Sequence, residues 1–125
     1  MGFIRRVLRR GPKRDKDIAA LNALRRRHAD VSRPVALRHF LYFAREYEAL
    51  VVAAELRREG FETRVSELPM NGGHLLLARR AEPLDADAIH ELREHMDAAA
   101  LSQKGEYDGW DAVLDSGVSI AAARR

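Results

Sequence analysis

Two short stretches, "HFLYFA" at 39–44 and "HLLLARR" at 74–80, are apolar on both alternating faces. They constrain the fold more than any other feature of the chain. In an extended segment, neighbouring side chains point to opposite sides. Phe40 and Tyr42 then fall on one side of the first stretch, Leu41 and Phe43 on the other. Leu75 and Leu77 flank Leu76 in the same way. A strand apolar on both sides needs cover on both, and so belongs inside a sheet rather than at its edge. Two further strands are weaker. "FETRVSEL", 61–68, alternates and reads as half-buried. "EYDGWDAVL", 106–114, reads as the last strand, with Gly109 marking a bulge or a close backbone approach. On a regular strand Tyr107, Gly109 and Asp111 point one way, and Glu106, Asp108, Trp110 and Ala112 the other.

Helical spacing fills the gaps between these strands. In "REYEALVVAAELRREG" the residues Ala49, Leu50, Ala53 and Leu56 share a face, and Gly60 supplies the C-terminal cap. Asp85 caps a second long helix. Leu84 and Ile89 have the spacing of a hydrophobic staple around that cap. Ile89, Leu92, Met96 and Ala99 form its buried stripe, while Asp87, Glu91 and Glu94 make an acidic stripe on the opposite side. Gly105 ends it. Ahead of the first strand, Asp15 or Asp17 caps a helix carrying Ile18, Leu21, Leu24 and His28, which stops at "HADVSRP". Gly11-Pro12 breaks any helix further upstream.

The predicted division is a flexible basic arm at 1–14, a domain at 15–114 and a small-residue tail at 115–125. The order strand-helix-strand occurs twice, giving an α+β, ferredoxin-like βαββαβ sandwich with an extra N-terminal helix. In that fold the first and third strands are the central ones, and these are the two that are apolar on both faces. Two helices cover only one side of such a sheet. The N-terminal helix, the tail or a second copy of the chain is expected on the other.

Composition narrows the function. With no cysteine, the chain has no disulfide, thiolate nucleophile or cysteine-ligated zinc. No apolar run approaches the roughly 20 residues that span a bilayer. "MGFIRRVLRR" lacks the pattern of a signal peptide, so a cytoplasmic location is expected. The five histidines show no ligand spacing; His90 and His95, five apart, sit about 140° apart on a helix. "NGGH" lacks the lysine spacing and following helix of a phosphate loop. Neither a cofactor nor a catalytic group is indicated, and the chain does not read as an enzyme.

Charge is unevenly distributed. Residues 1–81 carry 18 Lys and Arg against 9 Asp and Glu, whereas residues 82–115 carry 10 acids against Arg93 and Lys104. Without the arm the body carries 16 basic against 19 acidic residues and should not bind nucleic acid strongly. The acidic third suits a basic partner instead.

"GEYDGW", together with "HADVSRP" and "RHFLYFA", resembles the RraB family, the bacterial protein regulators of ribonuclease E. The likeness covers about residues 15–114, and His28 stands where the family tends to have glycine. It implies a ferredoxin-like sheet and a binding function: contact with ribonuclease E, whose scaffold region is arginine-rich, or with another basic protein. The candidate protein-binding residues are Asp87, Glu91 and Glu94 on the helix, and Tyr107, Asp108, Trp110 and Asp111 on the last strand, with an aromatic anchor rimmed by carboxylates; the other reading of that strand packs Trp110 over one end of the sheet core and leaves the acids around it in solvent. The alternatives are a ferredoxin-like small-ligand or regulatory module that dimerises through its open sheet face, and a nucleic-acid binder using the basic arm.

Overall fold

The computed structural model describes the backbone of residues 2–27, 33–70, 72–113 and 119–122. The elements run α1 (Gly2–Arg27), β1 (Val35–Phe43), α2 (Glu46–Arg58), β2 (Glu62–Glu67), β3 (His74–Glu82), α3 (Ala86–Ser102), β4 (Glu106–Val113) and β5 (Ser119–Ala121). The strands form one antiparallel sheet in the order β2-β3-β1-β4-β5. The two strands with apolar residues on both sides, β1 and β3, are interior.

Alternation along β1 divides the sheet cleanly. Val35, Leu37, His39, Leu41 and Phe43 are buried, and the residues between them are half-buried. The buried set faces the helices. One core cluster joins Leu41, Phe43, Leu76 and Tyr107 to Val52, Leu56, Leu92 and Met96. A second joins Leu37, Trp110 and Ala112 to Leu21, Leu24 and Ile89. α1 therefore packs on the same side as α2 and α3, extending the helical layer past β4. Of the three candidates for the second face of the sheet, the N-terminal helix is therefore ruled out. Among the described residues that face is open, with Phe40, Tyr42, Leu75 and Leu77 half-buried on it.

The caps follow simple chemistry. Asp85 accepts a 2.9 Å hydrogen bond from the Ala88 amide, and Leu84 and Ile89 meet in the second core cluster. α2 closes with the paired bonds of a Schellman motif, Gly60 N–H to the Arg57 carbonyl and Phe61 N–H to the Leu56 carbonyl. α3 closes in the same way, but Lys104 rather than a glycine takes the left-handed position, at φ 62°. Gly105, one residue on, is needed for a different reason. A Cβ there would lie 2.4 Å from the Phe43 ring and 2.6 Å from the Tyr42 carbonyl oxygen.

Several expectations need correction. The first helix is continuous from Gly2 to Arg27, straight through Gly11-Pro12. Pro12 removes one helical hydrogen bond, but helix-forming Arg, Lys, Leu and Ala residues on either side carry the helix across. The boundary at 14/15 thus falls inside an element. Asp17 is no cap; it is buried mid-helix. On α2, Leu50 faces outward and Val52 takes its place in the core. Part of the predicted tail, Ser119–Ala121, is a fifth strand on β4. The "HADVS" segment, 28–32, and residues 114–118 lie outside the described residues.

Candidate functional site

β4 departs from regular alternation at Gly109. Phe40 of β1 pairs with Gly109 and Leu41 with Tyr107, so Asp108 is an extra residue in a bulge. Gly109 sits at φ 109°, a conformation side-chain-bearing residues rarely adopt. The bulge brings Tyr107 and Trp110 to the same, helix-facing side. They had been expected on opposite sides. Asp111 is delivered to the open face, opposite Arg38.

These residues are not an exposed anchor. Trp110 is 1% exposed and Tyr107 2%, and Asp108 and Asp111 are buried as well. Trp110 donates its indole N–H to Asp17 at 2.9 Å. Arg93 reaches the same carboxylate with two bonds, at 2.6 and 2.8 Å, and also donates to the Ala122 carbonyl at 3.2 Å. The Ala122 amide in turn donates to the Trp110 carbonyl at 2.7 Å. One network therefore joins α1, α3, β4 and the segment after β5. Burial works against the charge of Arg93, but the hydrogen bond and field of Asp17 outweigh it and raise its pKa. Tyr107 lies under Arg93, ring centroid 5.2 Å from the guanidinium carbon, and its hydroxyl shares a 2.8 Å hydrogen bond with His39 Nδ1. Burial above all pushes the Tyr107 pKa well up. Burial, then Arg80 and Arg93, push that of His39 down to about 3. Both groups are neutral at physiological pH.

On the open face the guanidinium of Arg38 grips Asp111 through both oxygens, at 2.7 and 2.6 Å. The hydrogen bond to Asp111 raises the Arg38 pKa despite some burial.

Of the seven residues expected to bind a partner, the structure brings three to the surface together. Asp87 and Glu91 are exposed and Glu94 half-exposed, spaced i, i+4, i+7 along the outer side of α3. Arg93 lies on the opposite, buried side with Ile89, Leu92 and Met96. The acidity of residues 82–115 is thus partly internal: Glu82 pairs with Arg80 and Asp111 with Arg38, while Asp108 is buried. What remains outside is concentrated on α3.

Sequence reasoning missed Asp17 and Arg93. A signal was present: Arg93 is one of only two bases in the acidic third, and it falls on the apolar stripe of its helix. A cation at a core position requires a buried anion. Among the described residues no cluster of three or more His, Asp or Glu side chains could hold a metal ion. Nor is any helix among them long and apolar enough to cross a membrane.

The family model for regulator of ribonuclease activity B matches residues 14–112. No curated protein matches the chain. The matched span runs from α1 through Ala112 of β4 and takes in both ends of the buried Asp17–Arg93–Trp110 network. On that match the chain belongs to the RraB family of regulators of ribonuclease activity.

Proposed function

We propose that this protein is a non-catalytic regulator acting in the bacterial cytoplasm, and that it modulates ribonuclease E by direct contact. The body is read as a ferredoxin-like sandwich, a reading supported by the two βαβ units and by β1 and β3 lying inside the sheet. The observation that carries the binding proposal is the stripe of Asp87, Glu91 and Glu94 on the outer side of α3. The helix is held from behind by the Arg93–Asp17 pair, so its acids present a fixed spacing. That spacing suits an arginine-rich segment.

Single exposed ion pairs contribute only about 0–1 kcal/mol, so no one acid should dominate. Association rate depends on the summed field. The test titrates the arginine-rich segment of ribonuclease E against the intact protein and the Asp87→Lys/Glu91→Lys/Glu94→Lys variant. The variant is expected to bind at least about tenfold more weakly at low salt and to lose most of the salt dependence. Equal binding by both proteins at low salt would sink the proposal.

A further inference from the structure

The outer side of α2 is unusual for a surface helix. Tyr47, Leu50 and Val51 are 56%, 48% and 40% exposed, and Ala54 follows on the same stripe. The spacing is i, i+3, i+4, i+7, the pattern of a buried helix face. The buried face already exists on the other side, at Ala49, Val52, Ala53 and Leu56. α2 is therefore apolar on two sides, and only one is covered among the described residues. The apolar residues on the open sheet face are better shielded, being only half-exposed.

We propose that this stripe is a self-association surface, in which α2 of one copy packs antiparallel against α2 of a second. Three features of the helix select that occupant. The stripe is bounded by exposed charges of opposite sign, Glu46 at its start and Arg58 at its end. In an antiparallel pair each Glu46 comes within reach of Arg58 of the second copy, twice per dimer. Bulk is complementary too. Tyr47 at one end of the stripe falls opposite the small Ala54 of the second copy, while Leu50 and Val51 meet their counterparts across the twofold axis. Finally, the arrangement is closed: the same patch serves both copies and leaves no residual apolar edge. A contact made by one helix from each copy is smaller than a standard interface, so the dimer is weak and forms only at high protein concentration. This inference is independent of the acidic stripe on α3.

The experiment is sedimentation of the full-length protein up to about 1 mM, with three variants. Val51→Glu should be monomeric throughout with an unchanged melting temperature, because the side chain is exposed. Glu46→Arg and Arg58→Glu each place like charges across the contact. Each should weaken self-association about tenfold. An equimolar mixture of those two should recover wild-type association within about threefold, since both cross-pairs are then opposite in sign. A monomeric wild type at 1 mM overturns the proposal. So does a Val51→Glu dimer, which would move the contact to the sheet face, and so does a mixture that fails to recover. If the wild type is monomeric and Val51→Glu instead loses a ribonuclease partner, the stripe serves that partner and self-association is overturned.

Discussion

Arg93 and Asp17 stand 76 positions apart in the chain, yet the guanidinium grips the carboxylate through two hydrogen bonds of 2.6 and 2.8 Å, with both side chains almost wholly buried. A pair like this is costly to break and cheap to replace. Removing one partner strands a charge in the interior. Replacing both with apolar groups removes the desolvation cost along with the attraction. Asp17→Asn should therefore lower unfolding stability by about 3–5 kcal/mol in urea. The double variant Asp17→Leu/Arg93→Met should recover most of that loss. A deficit of about 1–2 kcal/mol remains, because the Trp110 indole loses its acceptor. Equal losses for the single and double variants would contradict this account.

The Arg38–Asp111 pair has equally good geometry and should behave differently. Arg38 is more than a third exposed, so water reaches the guanidinium, screens the attraction in the folded state and solvates Arg38 when Asp111 is removed. A double-mutant cycle with alanine at both positions should give a coupling below about 1 kcal/mol. A coupling as large as that of Arg93 and Asp17 would show that the open sheet face is drier than its exposure implies.

His39 sets an acid limit on stability. Its folded pKa is pushed down to about 3 from an ordinary 6.5. Below pH 6.5 the unfolded chain takes up the proton and the folded chain does not, so acid favours unfolding. Stability is fully present above pH 6.5 and falls by about 1.4 kcal/mol per pH unit on the way to pH 3 from this group alone. His39→Leu should flatten the profile between pH 6.5 and 4.5 while costing about 1–3 kcal/mol at pH 7.5, because the Tyr107 hydroxyl loses its partner. Adding Tyr107→Phe should return much of that cost. Urea midpoints across the range read both effects, and an unchanged slope in His39→Leu would place the titration elsewhere.

The turn after α3 makes opposite predictions for adjacent residues. Lys104 occupies the left-handed region, so Lys104→Gly should stabilise the protein by about 1 kcal/mol. Gly105→Ala should destabilise it by about 1–3 kcal/mol, since a Cβ there meets the Phe43 ring and the Tyr42 carbonyl. Thermal melts of the two variants should move in opposite directions.

What could be read in advance follows from how local each signal was. The interior position of β1 and β3 was legible because it depends only on residues one and two apart. The start of α3 was legible because Asp85, Leu84 and Ile89 lie within one turn of the cap. The course of α1 through Gly11-Pro12 was not. A Gly-Pro pair is a strong local breaker, and sequence alone does not show when the flanks outweigh it. Nor was the role of Asp17 legible: an aspartate ahead of an apolar run is a cap by local rules, and only Arg93, contributed by another helix, makes it a core residue. Of the candidate site, the acidic side of α3 was legible from helical spacing. Packing of Trp110 in the core was legible as one reading of a lone large aromatic, but the burial of Tyr107, Asp108 and Asp111 was not, and nothing local shows that a bulge reverses the alternation after Gly109 and sets Trp110 on the same side as Tyr107.

That bulge amounts to a frameshift in three dimensions. Before Gly109, β4 obeys one parity: Tyr107 turns inward and joins the cluster built on α2 and the C-terminal half of α3. After it the parity is reversed, and Trp110 and Ala112 turn inward to join the cluster built on α1 and the start of α3. One inserted residue thus lets a single strand serve two cores that are out of step by an odd number of positions. Without Asp108 that step would vanish. Restoring two-residue alternation through β4 would leave either Tyr107 or Trp110 facing the open side of the sheet.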